Sequence, residues 1–181
     1  MRKLIMWNLM TLDGYVEGPN RDIGWHEDVW GDELQQISIE QGHAAGALLF
    51  GRITYELMAG YWPSAKGETA DFMNGLPKIV ASRTLEKADW HNTRLVRENL
   101  PEEIARLKAE SGKDIFIFGS ADLSASLIPH GLIDELRICV VPLVLGGGNP
   151  LFKSSPESLK LRLIETRPLA SGGVVLHYHP A

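Results

Sequence analysis

Apolar residues along this chain fall into short continuous runs that stop at glycine, alternating with segments in which they recur every three or four positions. The first pattern suits strands buried on both faces, and the second suits helices packed against them. Lys3 to Thr11 reads as a strand, and Leu12-Asp13-Gly14 turns the chain. A loop from Gly14 to about Glu27 carries Gly18-Pro19-Asn20 and Gly24. Asp28 to about His43 is expected to be a helix with Val29, Leu34, Ile37 and Ile39 on its apolar side. Ala47 to Phe50 is a short buried strand, Thr54 to Gly60 a helix, and Trp62-Pro63-Ser64 a break. Leu76 to Ala81 and Thr93 to Val96 are strands. Asn99 is expected to cap a helix running to Glu110, with Glu102 returning the bond and Ile104 and Leu107 buried. Asp114 to Phe118 is a strand that ends at Gly119-Ser120, followed by a helix marked by Leu123, Leu127 and Ile128 and closed by Gly131. Ile133 to Leu145 is a long strand broken by Pro142. Leu159 to Arg167 and Val174 to His179 form a hairpin around Ser171-Gly172-Gly173. The expected fold class is α/β, a mixed and mostly parallel central sheet flanked by helices, with a C-terminal antiparallel hairpin.

Composition narrows the function more than the fold. The 181 residues suit one domain, and 44% hydrophobic with 23% charged residues is ordinary for a globular chain. A net charge of -5 without clustered Lys and Arg argues against nucleic acid as a partner. No basic-apolar leader opens the chain and no apolar run approaches the ~18 residues of a membrane span, so no membrane association and a cytoplasmic address are expected. The single cysteine, Cys139, lies in an apolar run and has no intrachain disulfide partner. A small buried hydrophobe is the plain interpretation, and a catalytic thiol the alternative.

The chemistry concentrates at two junctions of the same kind. Phe50-Gly51-Arg52-Ile53-Thr54 and Phe118-Gly119-Ser120-Ala121 each end a strand at glycine and open a helix. Such a junction offers close backbone approach and unpaired first-turn N–H groups, and Arg52 and Thr54 add a planar cation and a hydroxyl, which together suit a phosphate. The same pattern also serves as an ordinary strand-to-helix connection. No G-x-G-x-x-G, P-loop, zinc or nucleophile-elbow signature occurs. His177 and His179 share one face of a strand, where they would bind a metal only with a third ligand.

Taken in order, Leu12-Asp13-Gly14, the Gly51 junction, Ile79-Val80-Ala81-Ser82-Arg83, Ile117 to Ala121, and Ile133-Asp134-Glu135-Leu136 through Pro142 to Gly146-Gly147-Gly148 resemble the dihydrofolate reductase-like superfamily. The nearest likeness is to the C-terminal reductase domain of bifunctional riboflavin-biosynthesis deaminase-reductases, and it spans nearly the whole chain. The resemblance implies an NADPH-dependent oxidoreductase acting on a pteridine- or ribosylaminopyrimidine-like substrate. It places Leu12, Gly51, Arg52, Thr54, Ser82, Arg83, Gly119, Ser120, Ala121 and Leu123 at the cofactor. Arg52 and Thr54 would meet its phosphates, Ser82 and Arg83 the adenosine 2′-phosphate, and the Gly119 turn the pyrophosphate. Leu9 to Leu12 would border the nicotinamide. A homodimer is also implied. Two arginines beside one phosphate favour NADPH over NADH in a chain of net charge -5.

The match breaks on the substrate side. Where the riboflavin reductases have Gly-Gly this chain has Gly119-Ser120, with the Ser120 hydroxyl placed to cap the helix that follows. Their Asp-x-Pro-x-Leu-x-x-Arg segment and the Glu before the second glycine turn are replaced by Tyr55 to Pro63 and by Phe118. Dihydrofolate reductases carry an acid on the helix after the first loop, and Asp32 is the catalytic candidate here, with Glu33 next. Carboxylates at a helix start also suit its dipole, which is the competing explanation. Asp13 is expected to brace its own turn. Trp7, Trp25, Trp30 and Trp62 would stack on a flat heteroaromatic substrate or simply fill the core. The loop from Gly14 to Glu27 is a candidate lid. A nucleotide-binding sensor or partner module that has lost turnover is the alternative function.

Overall fold

The computed structural model describes residues 1–155 and 158–181. Ten strands and six α-helices alternate: β1 (Leu4–Thr11), β2 (Tyr15–Glu17), α1 (Trp25–Val29), α2 (Asp32–Ala44), β3 (Ala45–Gly51), α3 (Arg52–Tyr61), α4 (Glu68–Gly75), β4 (Lys78–Ala81), β5 (Thr93–Val96), α5 (Leu100–Ala109), β6 (Asp114–Phe118), α6 (Ala121–Leu127), β7 (Glu135–Val141), β8 (Asn149–Pro150), β9 (Leu161–Pro168) and β10 (Val174–Pro180). Eight of the strands form one sheet in the order β5-β4-β3-β6-β1-β7-β10-β9. Every neighbouring pair is parallel except β7 with β10 and β10 with β9. The expected α/β class, its mostly parallel sheet and its terminal hairpin are all present.

The central strands are apolar on both faces because both faces are covered. Leu4, Met6, Leu49, Ile117 and Leu136 pack with α5 and α6 on one side. Ile5, Trp7, Leu48, Phe50 and Phe116 pack with α2, α3 and α4 on the other. Cys139 is fully buried among this second set, and burial pushes its thiol up to about 11, which suits the inert interpretation.

Several local expectations are corrected. The helix expected over 28–43 is two, because Trp30 and Gly31 adopt extended conformations between α1 and α2. Helix α4 was not expected at all, although its buried Ala70 and Met73 sit three residues apart. Asn99 does precede α5, but in a left-handed conformation with no side-chain bond to the first turn. The α2–α4 packing depends on Gly42, where a Cβ would lie 2.3 Å from the Phe72 ring. The carbonyls at the end of α4 are collected by Lys78. Only 1% exposed, its ammonium donates to Met73, Asn74 and Leu76 at 3.0, 3.0 and 2.8 Å and lies 4.5 Å from the Trp90 ring centre. Burial pushes Lys78 down to about 8.

The segment between Gly14 and Glu27 is more structured than an open loop. β2 pairs with β8, and the Leu151 N–H donates to the Gly14 carbonyl at 2.9 Å. Asp13 does more than brace its own turn. Besides accepting from the Thr11 hydroxyl at 2.6 Å, it accepts from the Leu145 and Gly146 N–H groups at 3.2 and 2.7 Å. The hydroxyl and these amides hold its carboxyl below the usual range. The candidate lid is thus pinned at its base to the segment after β7.

Candidate functional site

At the C-terminal ends of β1, β3 and β6 the sheet opens, as parallel α/β sheets do where neighbouring strands lead their helices away. β1 and β6 stay paired through Trp7 and Phe118, and the Gly119 N–H donates to the Trp7 carbonyl at 3.1 Å. Beyond that point β6 turns away through Gly119 (φ 72) and Ser120 (φ 57), both left-handed. β3 ends at the same level and leads through Gly51 into α3.

The two junctions are in contact. The Gly51 N–H donates to the Ser120 hydroxyl at 3.0 Å. A Cβ on Gly51 would sit 3.5 Å from Leu123 Cβ, and one on Gly119 would sit 3.4 Å from Thr54 Cγ2. Gly51 lines a groove with Arg52, Thr54, Ser120, Ala121 and Leu123 together with Glu17, Arg21, Asp122 and Asn149, while Gly119 lines the cleft that adjoins it. Ser120 does not cap its own helix, as expected, but spends its hydroxyl across the gap on the other junction. Arg21, in the segment after β2, is a groove cation the sequence did not single out. Two acids temper the charge, each with a partner: Asp122 lies 3.1 Å from the Lys153 ammonium, and Glu17 accepts from Asn149 Nδ2 at 3.1 Å. The exposed Arg52 guanidinium is held by Glu56, at 3.0 and 3.2 Å.

Three of the expected cofactor residues are placed differently. Ala81 is the register partner of Gly51, so Ser82 and Arg83 leave the sheet at the same edge, but neither lines the groove. The Ser82 hydroxyl accepts from the Thr84 and Leu85 N–H groups at 3.2 and 3.0 Å, and Arg83 is exposed. Leu12 is 67% exposed and its N–H is bonded to the Leu143 carbonyl, so this turn residue faces solvent while Leu9 lines the cleft instead.

The groove continues past Thr54, Ser120 and Ala121 into a deeper apolar cleft. Its walls are Trp7, Leu9, Trp30, Leu57, Met58, Trp62, Phe72 and Phe118, and its polar groups are Asn8, Glu17, His26, Ser38, Thr54, Thr69 and Ser120. Three of the four singled-out tryptophans therefore line the cleft. The fourth, Trp25, is buried and meets His26 edge-on with ring centres 4.2 Å apart. Burial pushes the His26 imidazole down, against the Val16 carbonyl and the Asp22 carboxylate that raise it. Nε2 is buried without a hydrogen-bond partner among the described residues. Nε2 is therefore a buried polar atom with its hydrogen-bonding capacity unused among the described residues. Asn8, 3% exposed, likewise has an unpartnered Nδ2. An amide inside an otherwise apolar strand and a histidine beside a tryptophan were the sequence signals for these two residues.

Asp32 is not in this cleft. It is exposed at the first turn of α2, and Ser38 is the residue of that helix that lines the cavity. At 100° per residue the two side chains point about 120° apart around the helix axis. Glu33 is committed elsewhere, accepting from the Ala170 N–H at 2.6 Å. His177 and His179 also have partners, at Glu135 and the Pro180 carbonyl, 2.8 and 2.7 Å away.

This sheet order, with its reversed last strands, is that of the dihydrofolate reductase-like fold. The dihydrofolate reductase of Enterococcus faecalis, solved in complex with NADP(H) and RAB-propyl, superposes with a TM-score of 0.63 at 14% identity, covering 98% of this chain and 96% of its own. A protein of Shewanella sp. PV-4 assigned provisionally to riboflavin biosynthesis superposes more closely, with a TM-score of 0.81 at 23% identity over 99% of each chain. The chain belongs to the RibD C-terminal domain family, whose model matches residues 2–175. Among curated proteins, the uncharacterized Bacillus subtilis protein YyaP is 34% identical over 98% of this chain and 95% of its own length. Among the described residues no helix is long and apolar enough to cross a membrane.

Proposed function

We propose that the protein is an NADPH-dependent reductase that delivers hydride to a planar heteroaromatic substrate of the pteridine or pyrimidine kind. The observation that carries this reading is the direct contact between the two strand-glycine-helix junctions through Gly51 and Ser120. It brings the start of the ten-residue helix α3 and the left-handed Gly119-Ser120 turn to one groove. A left-handed glycine turn presents its N–H groups to an anion, and Arg52, Arg21 and the Thr54 hydroxyl face the same space. Gly51 and Gly119 pack against Leu123 and Thr54, and Gly119 adopts a φ of 72°, a left-handed conformation that favours glycine. These residues fit a dinucleotide phosphate. When bound, the reduced cofactor supplies the hydride, while the aromatic walls of the adjoining cleft orient the acceptor and exclude water. The reductase character of the family and the NADP(H) complex of the dihydrofolate reductase support the same cofactor.

Trp7, Trp30 and Trp62 line the cleft, so quenching of intrinsic fluorescence on titration with NADPH reads occupancy directly. The Arg52→Ala variant should bind NADPH about tenfold more weakly, the loss of one charge-assisted phosphate contact, while NADH changes by less than about threefold. Equal weakening of both would remove the 2′-phosphate assignment, and absence of NADPH binding by the wild type would remove the function. The position of Asp32 outside the cleft favours a second reading, a cofactor-binding module without turnover. Loss of the reduced-nicotinamide absorbance with any pteridine or pyrimidine acceptor excludes it.

A further inference from the structure

Resting on the reductase reading, we infer that the cleft is built for a flat substrate that carries no phosphate, and that His26 Nε2 forms a hydrogen bond with a polar group on its ring. Charge makes the first part of the case. Among the described residues no Lys or Arg lines the cleft, and its only carboxylate is Glu17. The nearest cations, Arg21 and Arg52, face the adjoining groove, where a dinucleotide phosphate would occupy them. The outer mouth beyond Trp30 and Trp62 holds Lys66, but alongside Glu27 and Glu68. A phosphate dianion placed in the cleft or at its mouth therefore meets at least as much negative as positive charge in a setting too apolar to screen it. Of the side chains from Tyr55 to Pro63, those in the cleft are Leu57, Met58 and Trp62.

Shape and hydrogen bonding make the second part. Trp7, Trp30, Trp62, Phe72 and Phe118 provide ring faces and edges for a planar system. Among these walls His26 meets Trp25 edge-on, and its Nε2 is left without a partner among the described residues. A buried polar atom in that state selects a ligand that brings a hydrogen-bonding group and rejects an analogue that lacks one.

The test uses the NADPH-loaded wild-type protein and two probes that differ in one group, ribosylaminouracil and its 5′-phosphate, with binding read by tryptophan fluorescence. The phosphate-free compound is expected to bind at least tenfold more tightly. The His26→Phe variant, which keeps the ring against Trp25, is expected to lose about tenfold for that compound at unchanged NADPH affinity, and His26→Gln, which keeps a hydrogen-bonding group, to recover most of it. Tighter or equal binding of the phosphorylated probe, failure of the phosphate-free probe to bind, or wild-type affinity in His26→Phe would each overturn the inference. Those outcomes leave NADPH binding intact and so are distinct from failure of the reductase reading, which shows as no NADPH binding at all. If His26→Phe also loses NADPH affinity, His26→Leu takes its place and is expected to show the same tenfold loss for the phosphate-free compound.

Discussion

Glu135 gives the sharpest test of the electrostatics that hold the sheet together. At 5% exposure it accepts from Lys3 Nζ at 2.6 Å, from an Arg137 terminal nitrogen at 2.7 Å and from His177 Nε2 at 2.8 Å, bridging β1, β7 and β10. Burial raises its pKa, but the bonds from Lys3, Arg137 and His177 outweigh burial and hold it at about 2, against an ordinary 4.5. Because the folded value lies below the unfolded one, the stabilisation is complete above about pH 4.5 and is lost as pH falls towards 2. That interval corresponds to about 3 kcal/mol, and breaking a buried pair by removing one charge costs a similar amount. Glu135→Gln should therefore lower the stability at pH 7 by about 3 kcal/mol, a shift of about 1.5 M in urea midpoint for a slope near 2 kcal/mol/M. The decisive measurement is the wild-type minus variant difference at a series of pH values, since acid effects of other carboxyls cancel in it. It should be constant from pH 7 to 5 and shrink steadily between pH 4.5 and 2.5. A difference below about 0.5 kcal/mol at pH 7, or one that stays flat on acidification, would refute the argument.

Other variants probe the two junctions and the helix packing. Ser120→Ala removes the acceptor for the Gly51 N–H and keeps the left-handed strain, so a loss of about 1 kcal/mol is expected in chemical denaturation. Ser120→Gly loses the same bond but relieves about 1–2 kcal/mol of strain, and should fall within about 0.5 kcal/mol of wild type. Glu56→Gln releases Arg52 from a pair worth about 0.3–0.5 kcal/mol and should tighten NADPH about twofold by fluorescence titration. Weaker binding would show that Arg52 is not a phosphate ligand. Gly42→Ala pushes the Phe72 ring towards the cleft and should cost about 1–3 kcal/mol by thermal melting, in spite of the better helix propensity of alanine.

The fold was legible where local pattern and tertiary role coincide. Leu48 to Phe50 and Ile115 to Phe118 are continuous apolar runs because helices cover both faces, and their length and terminal glycines identify them without knowledge of any partner. What escaped depends on distant contacts. The pairing of β2 with β8 joins strands of three and two residues, too short for alternation to show. Helix α4 is eight residues long, and its C-terminal carbonyls are satisfied by Lys78 rather than by a sequence-local cap. Asn99 has the composition of a cap but a left-handed backbone, which directs its side chain away from the first turn.

The same distinction divides the site into two halves. A groove made of strand ends, glycine turns and helix starts is backbone architecture, so the Gly51 and Gly119 junctions showed in the local pattern while Leu123 came from the family resemblance, and the structure sets Gly51, Arg52, Thr54, Ser120, Ala121 and Leu123 around one groove with Gly119 in the adjoining cleft. The cleft is made of single side chains from β1, β2, α1, α2, α3, α4 and β6, no two elements of which announce their neighbours in sequence. Asp32 failed for that reason: its place in the chain matched an acid on a helix, but helical phase, not position in the chain, decides which residue of α2 looks inward, and that residue is Ser38. A fold that fixes its groove through the backbone and its cleft through side chains can exchange the second while preserving the first. The contact of Gly51 with Ser120 belongs to the first half, and His26, with its unpartnered Nε2 beside an apolar cleft, to the second.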